Sequence, residues 1–269
     1  MSYDKPFKTY DEQLSHLITD YKLLVNDYDF SINALKNISY YDLINGYKEC
    51  MMTNGVFKEN ISMEFLFMFH LFDKSFQNIL LKQFIFIENY FKNTLAYVLS
   101  REFGVHQSEY LSHKNYLSSK NKLLFSKVKN NISQIYNPSK SITPPQPTRH
   151  YLRNHDHIPP WILFKNISFS NAINLLSLLK QQQKQFVVDT LIPNNISYVD
   201  KGSFLIPSLN LLRVFRNKIA HNLKFVTYKA STKNALPPKI LKQLFLDDLI
   251  SWNDIKHNQC GVNDIYACI

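Results

Sequence analysis

The amino-acid sequence predicts an all-α protein, and three observations support this prediction. Apolar residues recur every three or four positions through most of the chain, which is the spacing of a helix with one buried face. Residues 62–102 contain neither proline nor glycine, so one long helix, or two nearly collinear ones, fits this stretch. No segment alternates steadily between apolar and polar residues and ends in hairpin turns, so we expect strands to be minor.

The N-terminal part of the chain is expected to hold two short helices. Thr9 and Glu12 have the spacing of a capping box, which predicts a first helix over 10–25. A second helix is predicted over 31–38. The segment that follows contains Gly46, which either ends a helix or lets two backbones pack closely.

The remaining helices follow from the same periodicity and from helix-ending residues. Gly104 stands where a C-terminal cap of the long helix belongs. The proline-rich stretch 138–147 is predicted to be a loop or linker. Further helices are predicted over 169–179, over 183–191, and from 203 or 208 to 222.

Composition and cysteine spacing argue against several classes of protein. The five glycines form no glycine-rich nucleotide-binding loop and no nucleophile elbow. Cys50, Cys260 and Cys268 form no C-x-x-C pair, which fits neither a disulfide framework nor a structural zinc site. The most apolar run, 61–72, is too short to span a membrane and contains Glu64. We therefore expect a cytoplasmic protein with no metal, no cofactor and no membrane span.

The charge of the chain indicates nucleic acid as a partner. A formal net charge of +10 attracts polyanions and speeds their encounter with the protein. Between 110 and 153 there is no acidic residue, and basic residues are interleaved with aromatic ones. The candidate RNA-binding residues are Lys114, Lys120, Lys122, Lys127, Lys129, Arg149 and Arg153, and the candidate stacking residues are Tyr110, Tyr116, Phe125, Tyr136 and Tyr151. The alternative is a solvated helix face followed by a loop.

The strongest candidate for a catalytic site lies near the end of the last strongly predicted helix. On a helical wheel, Arg216, Asn217 and His221 share one arc with the small residue Ala220, apart from a stripe of apolar residues. These side chains suit cleavage of a phosphodiester without a metal ion. Histidine exchanges protons near neutral pH, arginine holds phosphate through paired hydrogen bonds, and Asn217 orients the imidazole or contacts the phosphate. The alternative is a set of surface residues with no chemical role.

The segment from Arg216 to His221 resembles the R-x4-H signature of HEPN-fold ribonucleases. Several further segments resemble, in order, the bacterial abortive-infection Abi-like family, the AbiD and AbiF group. These segments are residues 5–14, 38–47, 87–96, 160–161 and 168–170. The resemblance covers most of 5–228. The usual family pattern differs at two positions, with a basic residue in place of Asp42 and an arginine in place of Lys92.

The resemblance implies a HEPN-type helical bundle with additional helices at its N-terminal and C-terminal ends. We divide the chain accordingly into three regions. They are an N-terminal helical region over 1–60, a HEPN-like core over 61–228 with a basic insertion at about 110–157, and a C-terminal helix and tail over 229–269.

The resemblance also implies a homodimer, because two R-x4-H motifs face each other to make one active site in such enzymes. The other formal match, from Arg101 to His106, crosses a predicted helix end and is not displayed on one helix. Glu88 is a supporting candidate, because a carboxylate on the long helix is able to direct Arg216, with Lys92 one turn later near the site. The alternative is a surface ion pair between Glu88 and Lys92, four residues apart.

Two functions are expected on these grounds. The first is a metal-independent endoribonuclease of a bacterial anti-phage abortive-infection or toxin–antitoxin system, in which the 2′-OH of RNA is the nucleophile. The alternative is an RNA-binding protein that forms a ribonucleoprotein with a small non-coding RNA and has little or no intrinsic cleavage.

Overall fold

The computed structural model describes residues 5–116, 121–139, 142–192, 201–241, 251–257 and 260–268. Helices dominate this part of the chain, and its two named strands are two residues long each. The prediction of an all-α fold is confirmed.

The helices of the described residues vary from one turn to more than eleven turns. They are α1 (Tyr10–Thr19), α2 (Tyr28–Asn37), α3 (Lys48–Met51), α4 (Met63–Phe103), α5 (Gln107–Tyr110), α6 (Lys122–Tyr136), α7 (Thr148–Asn154), α8 (Pro160–Leu163), α9 (Phe169–Leu178), α10 (Gln181–Leu191), α11 (Lys201–Ala220), α12 (Pro238–Leu241) and α13 (Trp252–Lys256). A π-helical turn covers Tyr41–Asn45, and single 3₁₀ turns cover His113–Asn115, Thr232–Asn234 and Tyr266–Cys268.

The two strands form one small antiparallel hairpin. Strand β1 (Met52–Thr53) pairs with β2 (Val56–Phe57). Asn54 and Gly55 connect them with φ angles of 52° and 82°, which is the left-handed backbone of a tight two-residue turn. The hairpin follows α3 directly and buries Phe57.

The chain divides into two compact units. The first comprises residues 1–82 and 215–229, and the second comprises 83–214 and 230–269. The three regions inferred from the family resemblance cut the chain at other positions, because they follow motifs and not contacts. They stay a prediction.

The first unit has its own hydrophobic core. Apolar residues of α1, α2, the π-helical turn, β2 and the start of α4 form it, among them Leu14, Leu17, Leu35, Leu43, Ile44, Phe57, Met63 and Leu66. At its N-terminal end the capping box is present as predicted: the Thr9 side chain accepts from the Glu12 N–H, and the Glu12 carboxylate accepts from the Thr9 N–H.

The first helix is shorter than the sequence predicts. It ends at Thr19, and the prediction of a helix to residue 25 is wrong. Lys22 adopts a left-handed conformation with φ 56°, and the Leu24 N–H donates to the carbonyl of Ile61 at 3.1 Å. A backbone pairing with a distant segment therefore replaces the last helical turns, although the apolar periodicity continues past them.

The second unit is built around a larger core. Helix α6 packs against α9, and the buried residues include Phe91, Leu95, Tyr110, Tyr116, Phe125, Leu163, Leu175 and Leu209. Helices α9 and α10 lie close to their predicted ranges. In the proline-rich stretch, residues 142–147 precede α7 and are not helical, as predicted.

Helix α4 confirms the prediction of one long helix. Gly104 follows its last residue with φ +97°, a left-handed backbone that residues with a side chain rarely adopt, and this conformation favours glycine. The polar residues of this helix do not all face solvent. Asp73, Gln77, Glu88 and Lys92 are each exposed by 9% or less.

Within the described residues, no helix combines the length and the apolar character that a membrane crossing demands.

Candidate functional site

The end of α11 fixes the position of the candidate imidazole. The last helical residue is Ala220, two residues before the predicted end, because Asn222 takes the left-handed conformation with φ 54°. The N–H groups of Asn222 and Leu223 donate to the carbonyls of Ile219 and Lys218 at 2.9 and 3.1 Å. This pair of bonds is a Schellman motif, in which asparagine takes the place usually held by glycine. His221 is therefore the C-cap residue, and its side chain is exposed.

The three candidate catalytic residues lie on the last turns of this helix and on its cap. Arg216 and Asn217 are partly buried, and Arg216 Nη1 donates to Asn217 Oδ1 at 3.4 Å. The His221 N–H donates to the carbonyl of Asn217 at 3.1 Å. Phe215 and Ile219 are buried, as the helical wheel predicts. A guanidinium, an amide and an exposed imidazole therefore occupy adjacent turns of one helical segment.

The chain after His221 is held by three polar side chains of α4, which we call the α4 polar triplet: the neighbours Asp73 and Lys74, and Gln77 one turn later. Lys74 Nζ donates to the carbonyl of Asn222 at 2.8 Å, and Gln77 Nε2 donates to the carbonyl of Leu223 at 3.1 Å. These bonds join residues almost 150 positions apart in the sequence.

Asp73 completes this attachment from a fully buried position. Its two carboxylate oxygens accept from the N–H groups of Phe225 and Val226, at 3.2 and 3.1 Å. Buried backbone groups are costly without a hydrogen-bond partner, and these bonds satisfy two of them. The cap that carries His221 is consequently fixed on both sides, by α11 before it and by the α4 polar triplet after it.

A buried hydrogen-bonded chain extends from Asp73. The Tyr47 hydroxyl donates to Asp73 Oδ2 at 3.0 Å and lies 3.1 Å from His70 Nδ1. Burial, together with the nearby Asp73 charge, raises the pKa of Tyr47 far above its usual value. Burial and the neighbouring Lys74 ammonium lower the pKa of His70. Since Tyr47 donates to Asp73, it accepts from His70, whose Nδ1 then carries the proton.

The first unit also contains a polar cleft of about 440 Å³ that includes part of this site. Its lining residues come from the N-terminal segment, the π-helical turn, α3, α4 and α11. They are Lys5, Tyr41, Asp42, Asn45, Gly46, Tyr47, Lys48, Glu49, His70, Lys74, Lys218, Leu223 and Lys224. Lys218 lies on α11 between Arg216 and His221, so the cleft borders the candidate catalytic segment.

Residues 33–226, well over half of the chain, match the family model described as Abi-like protein. The chain belongs to the Abi-like protein family. Membership supports a role in abortive infection. The matched range includes the π-helical turn, the α4 polar triplet, Arg216 and His221. Neither the curated proteins nor the solved structures gave a match.

In this Abi-like protein the supporting pair Glu88 and Lys92 is buried, and the interpretation as a surface ion pair is wrong. The side chains are exposed by only 10% and 11%, and Lys92 Nζ lies 2.7 Å from Glu88 Oε1. The same ammonium donates to the carbonyl of Ile167 at 2.7 Å. This pair belongs to the second unit, and its predicted role toward Arg216 stays a prediction.

The basic insertion of the Abi-like protein presents its charges but not most of its aromatic rings. Lys114, Lys122, Lys127, Lys129 and Arg153 are exposed, Arg149 is partly buried, and Lys120 lies outside the described residues. Tyr110, Tyr116 and Phe125 are exposed by 3% or less. Their predicted role in base stacking is wrong, because packing in the core of the second unit buries them. Tyr136 and Tyr151 are partly buried.

The structure also bears on the second formal R-x4-H match and on metal binding. The formal match from Arg101 to His106 is interrupted by the end of α4, as predicted from Gly104, and the structure places His106 at the N-cap of α5. Among the described residues, no group of three or more histidine, cysteine, aspartate or glutamate side chains is arranged to hold a metal ion.

Sequence reasoning missed the α4 polar triplet and the chain from Tyr47 to His70. Asp73 and Gln77 are spaced four apart within a long apolar helix, which places them on one face. Polar residues on a face that also carries Leu66 and Phe84 would have indicated a buried polar contact. The sequence contains no signal that names the partner.

Proposed function

We propose that this Abi-like protein is a metal-independent endoribonuclease of a bacterial abortive-infection or toxin–antitoxin system. The observation that carries the proposal is the C-terminal end of α11, where Arg216, Asn217 and His221 occupy adjacent turns and the imidazole is exposed. The Schellman motif and the α4 polar triplet hold this segment in one conformation. Fixed positions for the reacting groups are what such catalysis needs.

The proposed reaction uses the ribose 2′-OH as an internal nucleophile. His221 takes the proton from the 2′-OH or donates one to the departing 5′-oxygen. Arg216 holds the phosphate and stabilises the charge that grows on its oxygens, and Asn217 orients its neighbours. The products are a 2′,3′-cyclic phosphate and a 5′-hydroxyl. DNA lacks the nucleophile and is not cut.

A second copy of the chain completes the proposed active site, since the HEPN resemblance requires two R-x4-H motifs. An apolar row on α4 offers a surface for this pairing. Phe65, Phe72 and Ile79 lie seven residues apart, which places them on one helix face, and they are exposed by 44%, 55% and 64%. Covering such a row with another copy removes it from water.

The test is cleavage of a 5′-fluorescent single-stranded RNA in buffer with EDTA, followed on a denaturing gel. Wild-type protein is expected to cut the RNA and to leave the matching DNA intact. Arg216→Ala and His221→Ala should each lose at least about 100-fold in rate, in the range of a lost acid–base or charge-stabilising group. His155→Ala removes an exposed imidazole elsewhere in the chain and serves as the matched control. Cleavage that requires magnesium, or that survives His221→Ala, would overturn the proposal.

The second candidate function is an RNA-binding protein that forms a ribonucleoprotein with a small non-coding RNA. The exposed lysines of α6 favour it, because Lys122, Lys127 and Lys129 lie in a stretch of the sequence with no acidic residue. The two functions differ in the response to His221→Ala. If the protein is a nuclease, His221→Ala keeps its affinity for RNA and loses cleavage. If it is a binding protein, the wild type and His221→Ala both retain RNA and neither cleaves it.

A further inference from the structure

Tyr41, the aromatic residue of the π-helical turn, lies between two depressions of the first unit. One is the 440 Å³ cleft beside α11, and the other is a broader depression of about 860 Å³ next to α1. Lys5, Tyr41, Asn45 and Lys48 line both of them. The two depressions are therefore neighbours that share a wall at Tyr41, and we call their joint lining the Tyr41 surface.

The backbone beneath Tyr41 is tightly packed. The Gly46 N–H donates to the carbonyl of Tyr41 at 3.0 Å, and a Cβ at Gly46 would lie 2.2 Å from the carbonyl oxygen of Asp42. The φ angle of Gly46 is −58°, which any residue can adopt. Glycine is therefore needed here because of the close packing and not because of a left-handed backbone. Leu43 and Ile44 of the same turn are buried, while Tyr41 is 68% exposed. A rigid turn therefore presents a tyrosine ring to solvent.

The charge around this ring is mainly positive. The lysines that line the two depressions are Lys5, Lys8, Lys48, Lys74, Lys218 and Lys224. Of the lining acids, Glu49 is paired with Lys224 at 3.0 Å, and Asp42 accepts from the Ser39 hydroxyl at 2.8 Å. Lys224 therefore compensates the negative charge of Glu49, whereas the Ser39 hydroxyl is neutral and leaves the charge of Asp42 in place.

We infer that the Tyr41 surface binds single-stranded RNA, with a base stacked on Tyr41 and the phosphates near Lys5 and Lys48. An exposed aromatic ring between lysines is the combination by which proteins hold unpaired strands. The inference rests on the proposed function and deepens it, because Lys218 extends the same lining to the α11 segment that carries Arg216 and His221. The substrate strand would pass from α1 toward Lys218 at the end of α11.

This assignment differs from the one that the sequence suggests. The basic insertion has the higher density of lysines, but Tyr110, Tyr116 and Phe125 are in a core and offer no ring for stacking. On the Tyr41 surface the ring and the charges occur together. An acidic protein segment would use the lysines but has no base to stack, and it is the competing occupant in the test.

The binding test uses full-length His221→Ala protein, so that the probe stays intact, and EDTA in the buffer. The probe is a 5′-fluorescein single-stranded RNA of about 20 nucleotides, followed by fluorescence anisotropy. Tyr41→Ala is expected to weaken binding about 5- to 150-fold, the range for one lost stacked base. Tyr41→Phe keeps the ring and should bind within about twofold of the parent. Tyr97→Ala removes another exposed tyrosine, in the second unit, and should have no effect.

Salt dependence tests the lysines separately from the ring. Lys5→Ala and Lys48→Ala should each lower the slope of log affinity against log salt by about 0.7, the value for one phosphate contact on a single strand. The triple replacement of Lys122, Lys127 and Lys129 by alanine should leave the slope unchanged. The inference is overturned if the α6 triple variant alone loses affinity, or if Tyr41→Ala binds like Tyr97→Ala. It is also overturned if a fluorescent poly-glutamate peptide binds as tightly as the RNA and shows no dependence on Tyr41.

Failure of the inference is distinguishable from failure of the proposed nuclease. If the wild-type protein cleaves RNA and Tyr41→Ala changes neither affinity nor cleavage, the nuclease proposal is kept and the Tyr41 surface is not the RNA site. If Tyr41→Ala lowers affinity but no form of the protein cleaves RNA, the surface stands and the nuclease proposal fails. Thermal unfolding of each variant confirms that the fold is kept.

Discussion

The buried carboxylate of Asp73 accepts a hydrogen bond from the backbone N–H of Phe225 at 3.2 Å, and so fixes the chain four residues after His221. The same carboxylate accepts from Val226 and from the Tyr47 hydroxyl. One side chain of α4 therefore satisfies donors from two distant segments of the first unit. This arrangement connects the stability of the unit to the position of the candidate imidazole.

Replacing Asp73 with alanine is expected to destabilise the protein by about 3 kcal/mol or more, because several buried donors lose their acceptor at once. Urea unfolding followed by circular dichroism measures the change. Asp189→Ala removes an exposed carboxylate and should change the free energy of unfolding by less than about 0.5 kcal/mol. Equal stability of the two variants would contradict the role given to Asp73.

The left-handed conformation of Asn222 predicts an unusual tolerance to glycine. Asn222→Gly should keep the stability and any RNA cleavage of the parent, because glycine adopts this backbone without strain. Asn222→Val should cost about 1–2 kcal/mol, because a branched side chain is strained there, and should slow cleavage by displacing His221. Thermal unfolding and the gel assay measure the two effects. A valine variant as active and as stable as the glycine variant would show that the cap is not needed.

The lowered pKa of His70 predicts a dependence of stability on pH. Because the folded-state pKa lies below the unfolded value of about 6.5, the unfolded chain binds a proton more readily. The free energy of unfolding should therefore be highest above pH 6.5 and fall as the pH drops through 6.5 toward the folded-state pKa. His70→Gln should flatten this part of the profile in urea titrations between pH 7.5 and 5.5. A profile that His70→Gln leaves unchanged would assign the pH dependence to other groups.

The buried Glu88–Lys92 pair predicts a strong response to removal of its cation. Lys92→Met is expected to destabilise the second unit by about 3–5 kcal/mol, because it removes the ammonium that lies 2.7 Å from a buried carboxylate. The double variant Glu88→Gln with Lys92→Met should recover part of this loss. Chemical unfolding of the single and double variants gives the coupling. Additive losses would mean that the two side chains act independently.

The apolar row on α4 predicts the oligomeric state. Ile79→Lys and Phe72→Lys each place a charge in the proposed pairing surface, and they should shift the protein from dimer to monomer and abolish cleavage with it. Leu123→Lys changes an exposed leucine on α6 and is the control. Sedimentation velocity at several concentrations measures the shift. A monomeric wild-type protein that cleaves RNA would contradict the requirement for two R-x4-H motifs.

Local patterns in the sequence were sufficient for much of the fold. The capping box at Thr9, the end of α4 before Gly104 and the buried stripe of α11 all follow from spacing, because helix formation depends mainly on neighbours within a turn or two. The end of α1 at Thr19 was not predictable in this way. A backbone pairing between Leu24 and Ile61 decides it, and no pattern within the helix reports that contact.

For the candidate site, the sequence by itself determined the residue types and the helix that carries them, Arg216, Asn217 and His221, together with the family resemblance. Only the tertiary structure decided which side chains surround them. It buried Tyr110 and Phe125, exposed Tyr41, and attached the segment after His221 to Asp73, Lys74 and Gln77. The physical reason is the distance along the sequence over which each interaction acts. Apolar periodicity records which face of a helix is buried, whereas a hydrogen bond between residues almost 150 positions apart exists only once the chain has folded.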